Sequence, residues 1–384
     1  MINFQFATAD RLIFGRDTIT QLPDLVKRYG QRVLIVTGTS PDRYQDITDK
    51  LQSAGNTTAT YSVASEPTTH TINEGVAVAR QHKAEIVIAI GGGSVIDAGK
   101  AIAAISTNQG ELLTYLEVVG NGQPLKQDPL PMIAIPTTAG TGSEVTKNAV
   151  INVESHNVKV SLRDNRMIPT IALLDPILTL SVPPHITATT GIDALTQVIE
   201  PYVSRFANPL TDAICRDGIA RGAQAIRQVY HHPDDIDARE TMLYVSLLGG
   251  LALANAKLGA VHGFAGTLGG VTGAAHGAIC GTLLPHVTEA NIDALRSADD
   301  VATLQRYQEI AVWLTGDINA TVDGLITWLQ DLVHELQIPK LRDLGLHSDD
   351  IAKVVIQSQK SSSMKGNSIT LSDSTLTAIL KAAF

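Results

Sequence analysis

Cysteine is scarce in this chain. Cys215 and Cys280 are the only two among 384 residues, and they form no CxxC pair. They read as reduced, buried thiols of a cytosolic protein. Basic clusters are lacking as well. The net charge is −9 and the pI near 5.6, so the chain does not read as a nucleic-acid binder. The opening MINFQFATADRLIFG has no basic stretch followed by an apolar run, so no signal peptide is expected. Long apolar runs are missing too. The most apolar region covers residues 245–285, yet its longest uninterrupted run, VSLLGGLALA, is half the roughly 20 residues that a membrane span needs. Asn255, Lys257, His262 and His276 then break it, and the region reads as buried helical core. No internal repeat and no low-complexity tract occurs. With 44% hydrophobic and 17% charged residues, the composition is that of a globular protein with room for two domains.

The first half alternates strand and helix signals. RVLIVTG, TTATYSVA, AEIVIAI, PMIAIPTT and TIALLDP read as five buried or half-buried strands. PDRYQDITDKLQSAG and TINEGVAVARQHK carry helical spacing between them. Strands separated by helices imply right-handed crossovers and a parallel sheet with helices on both faces. The pattern changes near SVPPHITATTG. Segments such as GIDALTQVIEPYVS, TMLYVSLLGGLALANAKLG and VDGLITWLQDLVHELQ keep i, i+3, i+4 apolar spacing, and no convincing strand follows. An α/β domain over residues 1–182 and an all-α domain over 183–384 are therefore expected.

Two glycine-rich loops point to a dinucleotide. Gly91-Gly92-Gly93-Ser94 lies between a buried strand and a helix, where backbone can approach a pyrophosphate and helix N–H groups are free. Its glycines are also expected to use positive φ. The GxGxxG pattern is not met, because Ile96 takes the third glycine place. Asp97 and Lys100 follow in the first helical turns. Thr137, Thr138 and Thr141 belong to a second small-residue loop, PTTAGTGSE, again at a strand's carboxyl end. Lys159, in VKVSL, is a candidate phosphate contact. A metal site is suggested separately. Asp193 and Gln197 stand four apart on one helix face. His262 and His276 could join them only if the chain breaks between, because fourteen residues of straight helix span about 21 Å. Gly266, Gly269, Gly270 and Gly273 are available for that break. His286 and His334 read as structural.

RLIFGRDTITQLPDLV, GGGSVIDAGK, IPTTAGTGSEVT, GIDALTQVIEPYVS, VHG, HGAICGTLLPHV and SSSMKGNSITLS stand here in an order that resembles the iron-containing alcohol dehydrogenase family along essentially the whole chain. The resemblance implies a dinucleotide-binding α/β domain, a helical metal domain and a dehydroquinate synthase-like architecture. It implies reversible NAD(P)-dependent oxidation of a small primary alcohol to an aldehyde, assisted by Fe²⁺ or Zn²⁺. It gives Asp193, His262 and His276 catalytic places as three of the four metal ligands. The fourth place, usually His, holds Gln197, a weaker donor, so the metal is expected to be weakly held. Gly266 stands where some members carry a proton-moving His, and a relay through the cofactor ribose and water is expected instead. Gly38 stands where NAD-preferring members often have Asp; with Thr39 and Ser40 it makes a neutral pocket that favours NADP. A homodimer and a small alcohol or aldehyde substrate are also implied. The alternatives are a dehydroquinate synthase-like lyase and a cofactor-binding protein that has lost its metal.

Overall fold

The protein is described here by a computed structural model covering residues 3–156 and 158–384. It divides into two compact units. One comprises Thr8–Thr138 and Ser143–Thr179; the other comprises Leu180–Phe384 together with the chain's first residues and the short segment Ala139–Gly142.

The first unit is built on a six-stranded sheet. Its elements are β1 (Arg11–Phe14), α1 (Leu22–Val26), β2 (Arg32–Thr37), α2 (Gln45–Ser53), β3 (Thr57–Ser62), α3 (Thr69–His82), β4 (Ile86–Gly91), α4 (Gly93–Thr107), β5 (Met132–Pro136), β6 (Asn148–Val153), β7 (Val158–Arg163) and β8 (Ile171–Leu174). The sheet order is β1-β8-β5-β4-β2-β3, with every pair parallel. β6 and β7 form a separate antiparallel pair. Both sheet faces are covered, which is why the central strands read as unbroken apolar runs. Leu34, Val36, Val87 and Ala89 pack with α3 and α4 on one face. Val33, Ile35, Ile86, Ile88 and Ile90 pack with α1 and α2 on the other. The five strands expected from sequence are present as β2, β3, β4, β5 and β8. β1 and the β6–β7 hairpin are additions: β1 is a four-residue edge strand with no buried position, too short to carry a pattern.

The second unit is all-helical: α5 (Pro184–Tyr202), α6 (Pro209–His231), α7 (Ile236–Ala256), α8 (Ala260–Thr272), α9 (His276–Ser297), α10 (Val301–Thr315), α11 (Val322–Glu335), α12 (Ile351–Ser358) and α13 (Asp373–Ala382). α5 begins with Pro183 as its cap and Pro184 at its first position, where a missing N–H costs nothing. It is buried from Gly191 through Tyr202 on every side, because α6, α7 and α9 all pack against it. The apolar region that mimics a membrane span is α7 with α8, bent by 99° at their junction. Leu243, Val245, Val261 and Phe264 of this pair are core residues. Among the described residues no single helix is long and apolar enough to cross a membrane.

Candidate functional site

Counted from β2, the strand order of the first unit is 2-1-3-4-5, and its switch point lies between β2 and β4. Open parallel sheets bind ligands outside the carboxyl ends of strands at such a point. Gly38, Thr39 and Ser40 follow β2 there, with Thr39 and Ser40 exposed. A Cβ built on Gly38 meets nothing within 4 Å. Gly92 caps α4 without a side-chain partner for the helix N–H groups, and Gly92, Gly93 and Ser94 are half-buried. Thr138 comes from the end of β5, and its Oγ1 would lie 3.4 Å from a Cβ on Gly92. The expectation of positive φ in this loop is corrected: Gly91, Gly92 and Gly93 stay outside the left-handed region, and Gly92 sits at φ −73°. These glycines matter for what they leave open, not for an unusual backbone.

Two polar residues of the same unit have protein partners. Asp97 accepts from the Ser143 hydroxyl and, at 2.9 Å, from the Val150 N–H. It also pairs at 3.0 Å with Lys100, whose buried ammonium donates to Ser143, Thr146 and the Asn148 carbonyl. Lys159 forms an ion pair with Glu66. Thr137 and Thr141 are half-buried, Thr141 within the segment that belongs to the helical unit.

In the helical unit, three of the four expected ligands meet. The His262 Nε2 lies 3.2 Å from the Asp193 Oδ1, and the His276 Nε2 lies 3.9 Å from the same oxygen. The two imidazole centroids are 5.3 Å apart. The break that permits this is Gly273 at φ +69°, which caps α8 before α9 starts at His276. Gly266, Gly269 and Gly270 stay inside α8 and break nothing. Gly277 then lets α9 lie against α5: a Cβ there would stand 2.2 Å from the Thr189 carbonyl oxygen. Gln197 is buried, and its Nε2 donates to the Gly140 carbonyl at 2.9 Å. Gly266 is exposed, and a Cβ on it would meet nothing within 4 Å.

Two participants were not singled out from sequence. Glu200 accepts from the His262 Nδ1 at 2.7 Å and from the Val261 N–H at 2.7 Å. It stands seven residues after Asp193, two turns along the same helix face, and that spacing was the available signal. Cys280 stands one turn after His276. Its sulfur and single ligand atoms of Asp193, His262 and His276 all lie within 4.8 Å of one another. The electrostatics suit a cation. Burial opposes charge on all three groups. Even so, the Asp193 carboxyl is held below its usual range by His276, His262 and Cys280. The His276 imidazole is pushed up to about 9 by Cys280 and Asp193. His262 is raised well above its usual value by Cys280, Asp193 and Glu200. Carboxylate, imidazole and thiol donors in one cluster fit a divalent transition metal.

Residues 9–176 match the family model for iron-containing alcohol dehydrogenase, and residues 187–384 match the C-terminal model of the Fe-containing alcohol dehydrogenase family. The chain belongs to the iron-containing alcohol dehydrogenase family. This dehydrogenase is 37% identical over 344 residues to the lactaldehyde reductase of Escherichia coli, covering 88% of each chain. It is 32% identical to the 1,3-propanediol dehydrogenase of Klebsiella pneumoniae, covering 99% of each. Among solved structures, a 1,3-propanediol oxidoreductase superposes with a TM-score of 0.92 at 31% identity, over the whole of both chains. Membership makes the protein an oxidoreductase acting on alcohols, from a family that uses NAD(P) and a metal, and it sets the lyase alternative aside.

Proposed function

We propose that the protein catalyses reversible oxidation of a small primary alcohol to its aldehyde with NAD(P), favouring NADP, at a divalent metal, Fe²⁺ or Zn²⁺, held by Asp193, His262 and His276. The observation that carries this reading is the convergence of these three donors from α5, α8 and α9. Gln197, one turn beyond Asp193, is the position the family resemblance offers for a fourth donor. When bound, the metal supplies Lewis acidity toward the alcohol oxygen and the nicotinamide accepts hydride. The chain's own contribution is orientation. Glu200 accepts a hydrogen bond from the His262 Nδ1–H, which turns Nε2 toward Asp193 as the ring atom that would hold the metal. Gly92, Gly93 and Ser94 offer backbone N–H groups to a pyrophosphate, Thr137 and Thr138 offer hydroxyls, and Thr141 is a cofactor residue on the strength of its loop's sequence alone. Asp97 braces the PTTAGTGSE loop through Ser143, and Lys159, which pairs with Glu66, is the proposed phosphate contact. Gly38, Thr39 and Ser40 leave room for a 2′-phosphate. A homodimer in the cytoplasm is part of the same reading.

The test is nicotinamide reduction by a panel of primary alcohols, with NADP and NAD, before and after chelation and re-addition of Zn²⁺ or Fe²⁺. The expected result is metal-dependent turnover that is faster with NADP, and a shift toward NAD in Gly38→Asp. Absence of turnover under every metal would leave the metal-deficient binding protein as the better reading, while a clear wild-type preference for NAD would sink the cofactor argument alone.

A further inference from the structure

We propose that the sulfur of Cys280, and not the amide of Gln197, completes the metal site, giving an Asp193–His262–His276–Cys280 donor set suited to zinc. The inference rests on the metal reading above and goes beyond it in naming the fourth ligand.

Three observations carry it. The first is position. The sulfur and one ligand atom from each of Asp193, His262 and His276 lie mutually within 4.8 Å, so four donors surround one point. Zinc–nitrogen and zinc–oxygen distances of about 2.0–2.2 Å and a zinc–sulfur distance of about 2.3 Å require these donors to draw together around the ion, and catalytic zinc can expand to five-coordinate, which leaves a position for the alcohol oxygen. The second is helix geometry. His276 and Cys280 are one turn apart on α9, so a single face of that helix presents two donors, as Asp193 presents one from α5. The third is the chemistry left to Gln197, whose neutral amide oxygen is its only donor atom for a metal. Its amide nitrogen is bonded to Gly140, which makes the side chain a strut between α5 and the Ala139–Gly142 segment.

Donor chemistry decides between the two. A thiolate is a strong ligand for zinc and a neutral amide is a weak one. With Asp193 and Cys280 ionised, the two negative charges balance a divalent ion within a buried cluster. The loss of an imidazole on α5 is thereby offset by a sulfur on α9, and the weak metal retention expected from Gln197 does not follow.

The experiment is X-ray absorption at the zinc edge on the full-length protein loaded with Zn²⁺. A sulfur shell at about 2.3 Å beside nitrogen and oxygen at about 2.0–2.2 Å is the expected spectrum. In Cys280→Ser that shell should vanish and zinc affinity should fall by at least about tenfold, the lower end of what loss of a supporting partner costs. Cys215→Ser and Gln197→Ala should each keep the sulfur shell. Bound zinc with only nitrogen and oxygen neighbours in the wild type, or a sulfur shell that survives in Cys280→Ser, overturns the assignment of Cys280 and leaves the metal reading standing. A chain that retains neither zinc nor iron overturns both.

Discussion

Glu200 does two things with one carboxylate. It fixes the His262 ring through Nδ1, and it sits at the N-terminus of α8, where it accepts from the Val261 N–H. An acid at that end of a helix is favoured by the helix dipole. Replacing it with Gln keeps the shape and removes the charge. Carboxylates that orient metal-binding histidines contribute roughly 10–100-fold to metal affinity. Glu200→Gln should therefore weaken zinc binding by about that factor in competition with a chromophoric chelator, with little change in helical content. An unchanged affinity would mean that something else sets the His262 ring. This residue also marks a limit of sequence reasoning. A Glu inside an apolar helical stretch reads equally well as a surface position, and only the fold places it beside His262, 62 residues away.

At the scale of elements, the site depends on how closely α9 can approach α5. Gly277 decides this, since an added methyl would press on the Thr189 carbonyl and stand 3.4 Å from the Asp193 Cβ. Gly277→Ala should push the start of α9 outward and carry His276 and Cys280 with it. Overpacking of this kind costs about 1–3 kcal/mol. Zinc affinity should fall at least as steeply as stability, read by calorimetric titration beside thermal melts. Full affinity in a destabilised variant would show that the ligands follow α5 and not α9. The sequence made the strands legible because β2, β4, β5 and β8 are buried on both faces and so carry continuous apolar runs. It made Asp193, His262 and His276 legible as a set. It left Cys280 unseen as a donor. A lone thiol in a hydrophobic helix carries no signal until the break at Gly273 turns that helix toward Asp193. SSSMKGNSITLS was recognisable without a role. Asn367 within it accepts from the Ala260 N–H and so holds the start of α8.

At the scale of the whole molecule, stability should carry an unusual pH dependence from the α/β unit. Glu144 is buried there, and its Oε1 has no hydrogen-bond partner. Burial raises its carboxyl from 4.5 to about 7, against the opposing pull of its own backbone N–H and of Lys100. Between these values the folded chain keeps a proton that the unfolded chain has lost. The contribution is fully present below about 4.5, declines as pH rises to about 7 and is lost above it. A shift of this size corresponds to about 3 kcal/mol at most. Glu144→Gln should remove this slope, so the variant gains on the wild type in chemical denaturation at pH 8 relative to pH 5. A wild-type profile without a downward component over this range, matched by the variant, would place the carboxyl in a better-solvated setting.

The bond between Gln197 and Gly140 also has a history in time. The two residues are 57 positions apart, and Ala139–Gly142 is surrounded in sequence by the α/β unit while belonging to the helical one. A ribosome delivers Gly140 first. At about 5–20 residues per second, several seconds pass before Gln197 is made. By then β8 has been synthesised and the last strand of the sheet is available, so the nascent chain holds a nearly complete α/β unit with four of its loop residues waiting for a helix that does not yet exist. The chain passes between the two units at Ala7, Thr138, Gly142 and Thr179. A single cut at Thr179 therefore leaves every residue of the α/β unit on one piece but deprives the helical unit of Ala139–Gly142, so the helical unit is not obtained by simple truncation of the gene.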